Sequence, residues 1–138
     1  MRWIAIREEL TDEWQKRGIK EQREYEILTA EISKAAFGMT PSEYKKIKKL
    51  KRENLRDHMN GLELIFAMLG ERVTTEISQQ EKPDTFPENK KVAKRGGVAG
   101  KARKETEKEI GRSVISKENY LQMPEGRKQL KSKKHPVR

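Results

Sequence analysis

A chain of 138 residues with 39% charged and only 33% hydrophobic side chains has room for one domain with a thin core, which suits a small helical bundle better than a sandwich. It has no cysteine and two histidines, His58 and His135, which excludes a disulfide framework, a thiolate nucleophile, a cysteine-held zinc and a histidine-rich metal centre. The net charge of +10 hides a split: residues 1–88 carry 16 Lys/Arg against 17 Asp/Glu, and residues 89–138 carry 16 against 5.

That C-terminal excess points to a polyanionic partner, nucleic acid first and DNA among them, in preference to the blander reading of a solubilising end. No apolar run approaches the ~20 residues of a membrane span. The opening MRWIAIREEL is too short and too charged for a secretory signal. A cytoplasmic protein with no membrane association and no cofactor is the expectation.

Along the chain the pattern is helical throughout. Trp3, Ile6, Leu10 and Trp14 step by three and four and predict a helix over 2–17, ended by Gly18. The two tryptophans read as core anchors rather than base-stacking platforms. Tyr25, Leu28, Ile32 and Ala35 predict a second helix over 20–36, closed by Phe37-Gly38.

Thr40-Pro41-Ser42-Glu43 is a strong start signal, with a Thr cap, Pro at the first helical position and Glu three residues after the cap. In the short helix that it opens, Tyr44, Ile47 and Leu50 are expected to face inward. Lys45, Lys46, Lys48, Lys49, Lys51 and Arg52 are expected to face outward or run into the turn that follows. Asn54-Leu55-Arg56-Asp57 repeats the cap-like spacing and gives one or two turns to Met59. Three short-linked helices with a basic second segment share the outline of a helix-turn-helix, an outline that any tri-helical bundle also has. Asn54, Arg56, Asp57, His58 and Glu63 form a polar cluster that caps and surface ion pairs explain.

Asn60 to Ser78, NGLELIFAMLGERVTTEIS, is where large apolar residues are dense. Leu62, Ile65, Phe66, Leu69, Val73 and Ile77 fall on one helical face, with an Asn60–Glu63 capping box at its start. This predicts the central, most buried helix, packed by 20–36 and by the short helices of 40–59. Gln79 to Pro87 reads as a loop with Phe86 as its anchor.

A basic helix is predicted over 88–110, ending at Gly111, with Val92, Gly96, Ala99, Arg103 or Ala102, Thr106 and Ile110 inward. Its adjacent Gly96 and Gly97 each cost roughly 1 kcal/mol against Ala, and call for close packing, a kink or a ligand backbone nearby. The run Gly96 to Ala102 is not a phosphate-binding loop: the glycine spacing is short, Ala102 stands where a hydroxyl is needed, and no strand precedes it. Lys90, Lys91, Lys94, Arg95, Lys101, Arg103 and Lys104 are the candidate phosphate contacts here. Lys45, Lys46, Lys49, Arg52 and Arg56 are the candidates in the middle of the chain. Val114-Ile115 suggests a short extended piece, with a last turn carrying Tyr120 and Leu121. Residues 122–138 are expected to be a disordered Lys-rich tail.

The expected fold is therefore an all-α multi-helix bundle. A single domain, 1–121, would comprise a helical pair over 2–38, a tri-helical core over 40–78 and a basic helix over 88–111. No nucleophile–base–orienter set is visible, so no enzyme is expected.

Several of these pieces also resemble a known family. Phe37-Gly38, Glu53-Asn54-Leu55-Arg56-Asp57-His58-Met59, Glu63-Leu64, Thr74-Thr75-Glu76-Ile77 and Glu88-Asn89-Lys90, followed by the glycine-rich helix and Val114-Ile115-Ser116 with Asn119, look like the C-terminal region of DNA-damage-inducible protein D. Phage antirepressors with a BRO-type N-terminal domain share this look. The resemblance covers roughly residues 7–121, and the BRO-type domain that precedes this region in the family has no counterpart here. It implies a prophage or damage-response regulator and assigns no catalytic residue. The alternative expectation is a protein–protein module that forms a homo-oligomer or docks on a repressor or a recombinase filament.

Overall fold

The computed structural model describes residues 2–117; the expectations for Tyr120, Leu121 and the tail fall outside the described residues. Among the described residues the fold is all-α. In chain order it comprises α1 (Arg2–Lys16), α2 (Gln22–Phe37), α3 (Pro41–Ile47), a 3-10 turn (Leu55–His58), α4 (Gly61–Glu81), α5 (Phe86–Lys94) and α6 (Gly97–Ile110). None of these helices is long and apolar enough to cross a membrane.

The boundaries follow local chemistry. Thr40 and Glu43 exchange side-chain-to-backbone bonds at the start of α3, and Asn60 and Glu63 do the same at the start of α4, each bond of the latter pair being 2.9 Å. Gly38 ends α2 with φ of 76°, its N–H donating to the Lys34 carbonyl, a conformation that costs a residue without a Cβ little. The predicted loop 79–87 is shorter than expected. Helix α4 runs on to Glu81, and Thr85 caps α5 by accepting from the Glu88 N–H at 3.2 Å.

Helix α4 is central, but it is buried on a different face from the one its large residues predict. Phe66 is in the core, whereas Ile65 is 52% exposed and Leu62, Leu69, Val73 and Ile77 are only partly covered. The buried face is Glu63, Ala67, Gly70, Glu71, Thr74 and Ser78. Small residues allow close approach here. A Cβ on Gly70 would lie 3.1 Å from Ile32 Cγ2 and 3.7 Å from the Cβ atoms of Ala36 and Ala99. Helices α2 and α6 therefore meet α4 almost backbone to backbone, and the bulkier stripe is left at the margin. Among its neighbours α1 lies most extensively against α4, which was expected to be packed by α2 and the short helices.

The α1–α4 contact is polar. Arg7 reaches Glu71 at 3.1 Å, Arg72 reaches Glu9 at 2.6 Å, and Ser78 Oγ donates to Glu13 at 2.8 Å. The pairs advance together along both helices, so α1 and α4 run parallel. Two apolar clusters complete the core. One joins Phe37, Tyr44, Leu50, Leu55, Met59, Phe66 and Val114; the other joins Leu10, Trp14, Ile19, Leu28, Ile32 and Ala93.

The predicted helix over 88–110 is two helices, α5 and α6, broken at Arg95-Gly96. Gly96 packs against α4, where an added Cβ would come within 3.5 Å of the Gly70 carbonyl and Thr74 Oγ1, whereas Gly97 faces open space. The tightest approach is at Gly100, where a Cβ would sit 2.2 Å from the Ala35 carbonyl oxygen. The inward stripe survives the break, with Val92, Ala99 and Arg103 buried, but Ile110 is exposed.

Candidate functional site

The basic residues singled out from the sequence separate into three groups. Lys91 and Lys94 on α5, and Lys101 and Lys104 on α6, are exposed, and none of the four forms an ion pair among the described residues. Lys101, Lys104 and Lys108 follow one another at three- and four-residue steps and so share a face of α6. Arg95 at the helix break is exposed but bound to Glu81, and Lys90 is partly covered with its Nζ 3.8 Å from Glu31. Lys46 and Lys49 are exposed near the end of α3, Lys49 with φ of 60° in the turn that follows.

Arg103 and Arg56 point inward and are corrections to the list of phosphate contacts. Arg103 is 8% exposed; its Nε donates to the Ala36 carbonyl at 2.8 Å, and its Nη1 reaches both Glu107 oxygens at 3.0 and 3.1 Å. The bond to Ala36 satisfies one of the carbonyls left without a helical partner at the end of α2. Arg56 is bound to Glu71 on α4, and its guanidinium lies 5.2 Å from the centre of the Trp3 ring. Lys48, expected to face outward, is buried. The turn at Lys49 sends it into the core, where Nζ meets Glu63 at 3.0 Å and the Ser116 carbonyl at 2.9 Å. Within the cluster over 54–63, His58 and Glu63 are buried and Arg56 and Asp57 half-buried, while Asn54 stays exposed and caps the 3-10 turn.

The third group surrounds a cavity of about 480 Å³ between α1, α2, α4 and the segment 52–59. Lys45, Arg52 and Arg56 line it together with Trp3, Arg7, Glu53 and Glu71, over apolar walls that include Ile32, Phe37 and Met59. Glu71 is 2% exposed, and one of its oxygens accepts from both Arg7 and Arg56. Arg7 is steadied further by Thr29 Oγ1 at 2.6 Å. Three buried polar atoms of these lining residues have no partner: Trp3 Nε1, Arg56 Nη1 and Glu71 Oε1.

Trp3, Arg7 and Glu71 went unnoticed as a group in the sequence. The signal that marks them is charge inside an inward stripe. Arg7 falls between Trp3 and Leu10 on the face that carries Trp14, and Glu71 falls within the small-residue stripe of α4. No protein-family model matches the chain, and no curated protein or solved structure matches it significantly.

Proposed function

We propose that this chain is a nucleic-acid-associated regulatory protein of prophage or DNA-damage-response type, which grips the phosphate backbone of DNA through its basic C-terminal half and performs no catalysis. One observation carries the reading: Lys91, Lys94, Lys101 and Lys104 stand exposed on consecutive helices with no acidic partner among the described residues. Ammonium groups without an acidic partner on exposed helical positions suit phosphates, which ask for charge and close approach rather than a shaped pocket. The resemblance of residues 7–121 to damage-inducible protein D and the phage antirepressors supports the regulatory part. The inward turn of Arg56 and Arg103 takes two planar, bidentate groups off the surface, which favours sequence-independent contact. An electrophoretic shift assay with duplexes of unrelated sequence, and with single strands, tests this. Comparable affinity across the duplexes is expected, and a strong preference for one sequence contradicts it.

A second reading is a protein–protein module that self-associates or docks on a repressor or recombinase filament, for which Ile65, 52% exposed on the central helix, is the residue to test. A stable dimer that Ile65→Asp dissociates, together with no DNA affinity, would make this the better account.

A further inference from the structure

The cavity between α1, α2 and α4 is lined by none of the four lysines assigned to the phosphate backbone, and its chemistry is that of a ligand site. Buried polar atoms are nearly always hydrogen-bonded, yet Trp3 Nε1, Arg56 Nη1 and Glu71 Oε1 all lack partners, and all three residues line the same space. Their environment is ordered. The Arg56 guanidinium is fixed from one side by Glu71 and from another by the Trp3 ring, 5.2 Å from its centre. Arg7, bound to the same Glu71 oxygen and to Thr29, also holds the carboxylate. The volume, about 480 Å³, is that of a small-molecule site.

The charges select the ligand. Arg7, Lys45, Arg52 and Arg56 line the cavity against Glu53 and Glu71, which leaves two positive charges uncompensated and calls for an anion. The Arg56 and Trp3 donors suit an oxyanion, and guanidinium groups hold carboxylate or phosphate oxygens well. Glu71 Oε1 requires a donor. The apolar walls require a body that is not itself hydrated. We propose that this cavity binds a small organic anion: a carboxylate or phosphate on an apolar, ring-sized body, with one hydroxyl or N–H group placed to donate to Glu71.

The two tryptophans allow a direct test on the full chain. In an amide and indole ¹H–¹⁵N spectrum, Trp3→Phe identifies the Trp3 Nε1–H signal, and Trp14, fully buried in the other apolar cluster, serves as an internal control. The probes are salicylate, phenyl phosphate and inorganic phosphate. A saturable shift of the Trp3 signal with salicylate or phenyl phosphate, and a stationary Trp14 signal, is the expected result; which of the two binds more tightly tells carboxylate from phosphate. Arg56→Lys keeps the charge and loses the planar fork, and should raise the dissociation constant roughly tenfold, as loss of a charge-assisted hydrogen bond does. Trp3→Phe keeps a ring against Arg56 and removes only the indole donor, so it should also weaken binding, read from the backbone amides around Glu71. No saturable shift with any of the three probes overturns the proposal and leaves water as the partner of these atoms. A response to inorganic phosphate alone means an adventitious ion only, and binding unchanged in both variants overturns it equally.

Discussion

At the scale of single residues, the carboxylate of Glu63 closes the capping box of α4 and also holds the core together. It accepts from the Asn60 N–H, Lys48 Nζ, the Tyr44 hydroxyl and the Ser116 N–H, with none of its side chain exposed. Burial, and then the bond to Glu63, hold the Tyr44 phenol protonated far above its ordinary range. Removing one end of such a pair strands the other charge, so Glu63→Gln should cost about 3–5 kcal/mol in chemical denaturation. The double variant Lys48→Met with Glu63→Gln should be closer to wild type than Glu63→Gln alone, because no buried charge is left without its partner and the amide oxygen can still accept from the neighbouring donors. Glu107 makes a pH-dependent counterpart. Burial raises its pKa, but the Val114 N–H, Arg103 and Ser113 together outweigh this and hold it below the usual carboxylate value of 4.5. A lowered folded-state pKa means stability that is complete above pH 4.5 and lost as the pH falls through the folded value. The stability difference between wild type and Glu107→Gln, measured by denaturation at several pH values, should therefore be present at neutral pH and shrink on acidification. Both capping boxes were legible in the sequence because a cap is a local pattern. The burial of Glu63 and Lys48 was not: their partnership spans 15 residues, and a cap at the surface is spelled with the same letters.

Among the elements, the decisive fact is that α2, α4 and α6 cross at small residues. Gly70, Ala99, Gly100 and Ala36 replace the interdigitated leucines of a more hydrophobic bundle. The sequence of α4 carries two stripes, one large and apolar and one small and polar. Hydrophobicity alone chooses the first, while close packing on α2 and α6 buries the second. The all-helical class and the start of α4 were readable; its buried face depended on neighbours far away in the chain. The break at Gly96 was half readable, since the glycine pair demanded a reason, and Thr85 with Glu88 repeats the spacing of Thr40 with Glu43. The crossing makes a contrast within one helix. Gly100→Ala places a methyl 2.2 Å from the Ala35 carbonyl oxygen, so α6 must shift, at a cost of about 1–3 kcal/mol. Gly97→Ala meets open space and should be neutral or stabilising by up to about 1 kcal/mol. Thermal melts of the two variants decide this, and equal melting temperatures would mean that the crossing is looser than described.

Over the whole molecule, charge is partitioned by depth as well as by sequence. Arg7, Arg56, Arg103 and Lys48 are spent inside on Glu71, Glu107 and Glu63, and Lys91, Lys94, Lys101 and Lys104 remain outside. The excess in the last fifty residues was plain from composition, but which cations face solvent required the fold. The same fold rules out a simple truncation as a test of DNA binding. Ala93, Ala99 and Val114 belong to the core, so a chain ended at residue 87 would lose packing as well as charge. Substitution in the intact chain is the informative comparison. The most direct measurement is fluorescence anisotropy of a labelled random duplex, titrated at several salt concentrations with wild type and with a variant in which Lys91, Lys94, Lys101 and Lys104 are all Ala. Each phosphate contact contributes about 0.9 to the slope of log affinity against log salt, so the variant should bind weakly, with a slope shallower by up to about 3–4. Equal affinity and equal slope for the two proteins would contradict the assignment of DNA contact to these four lysines.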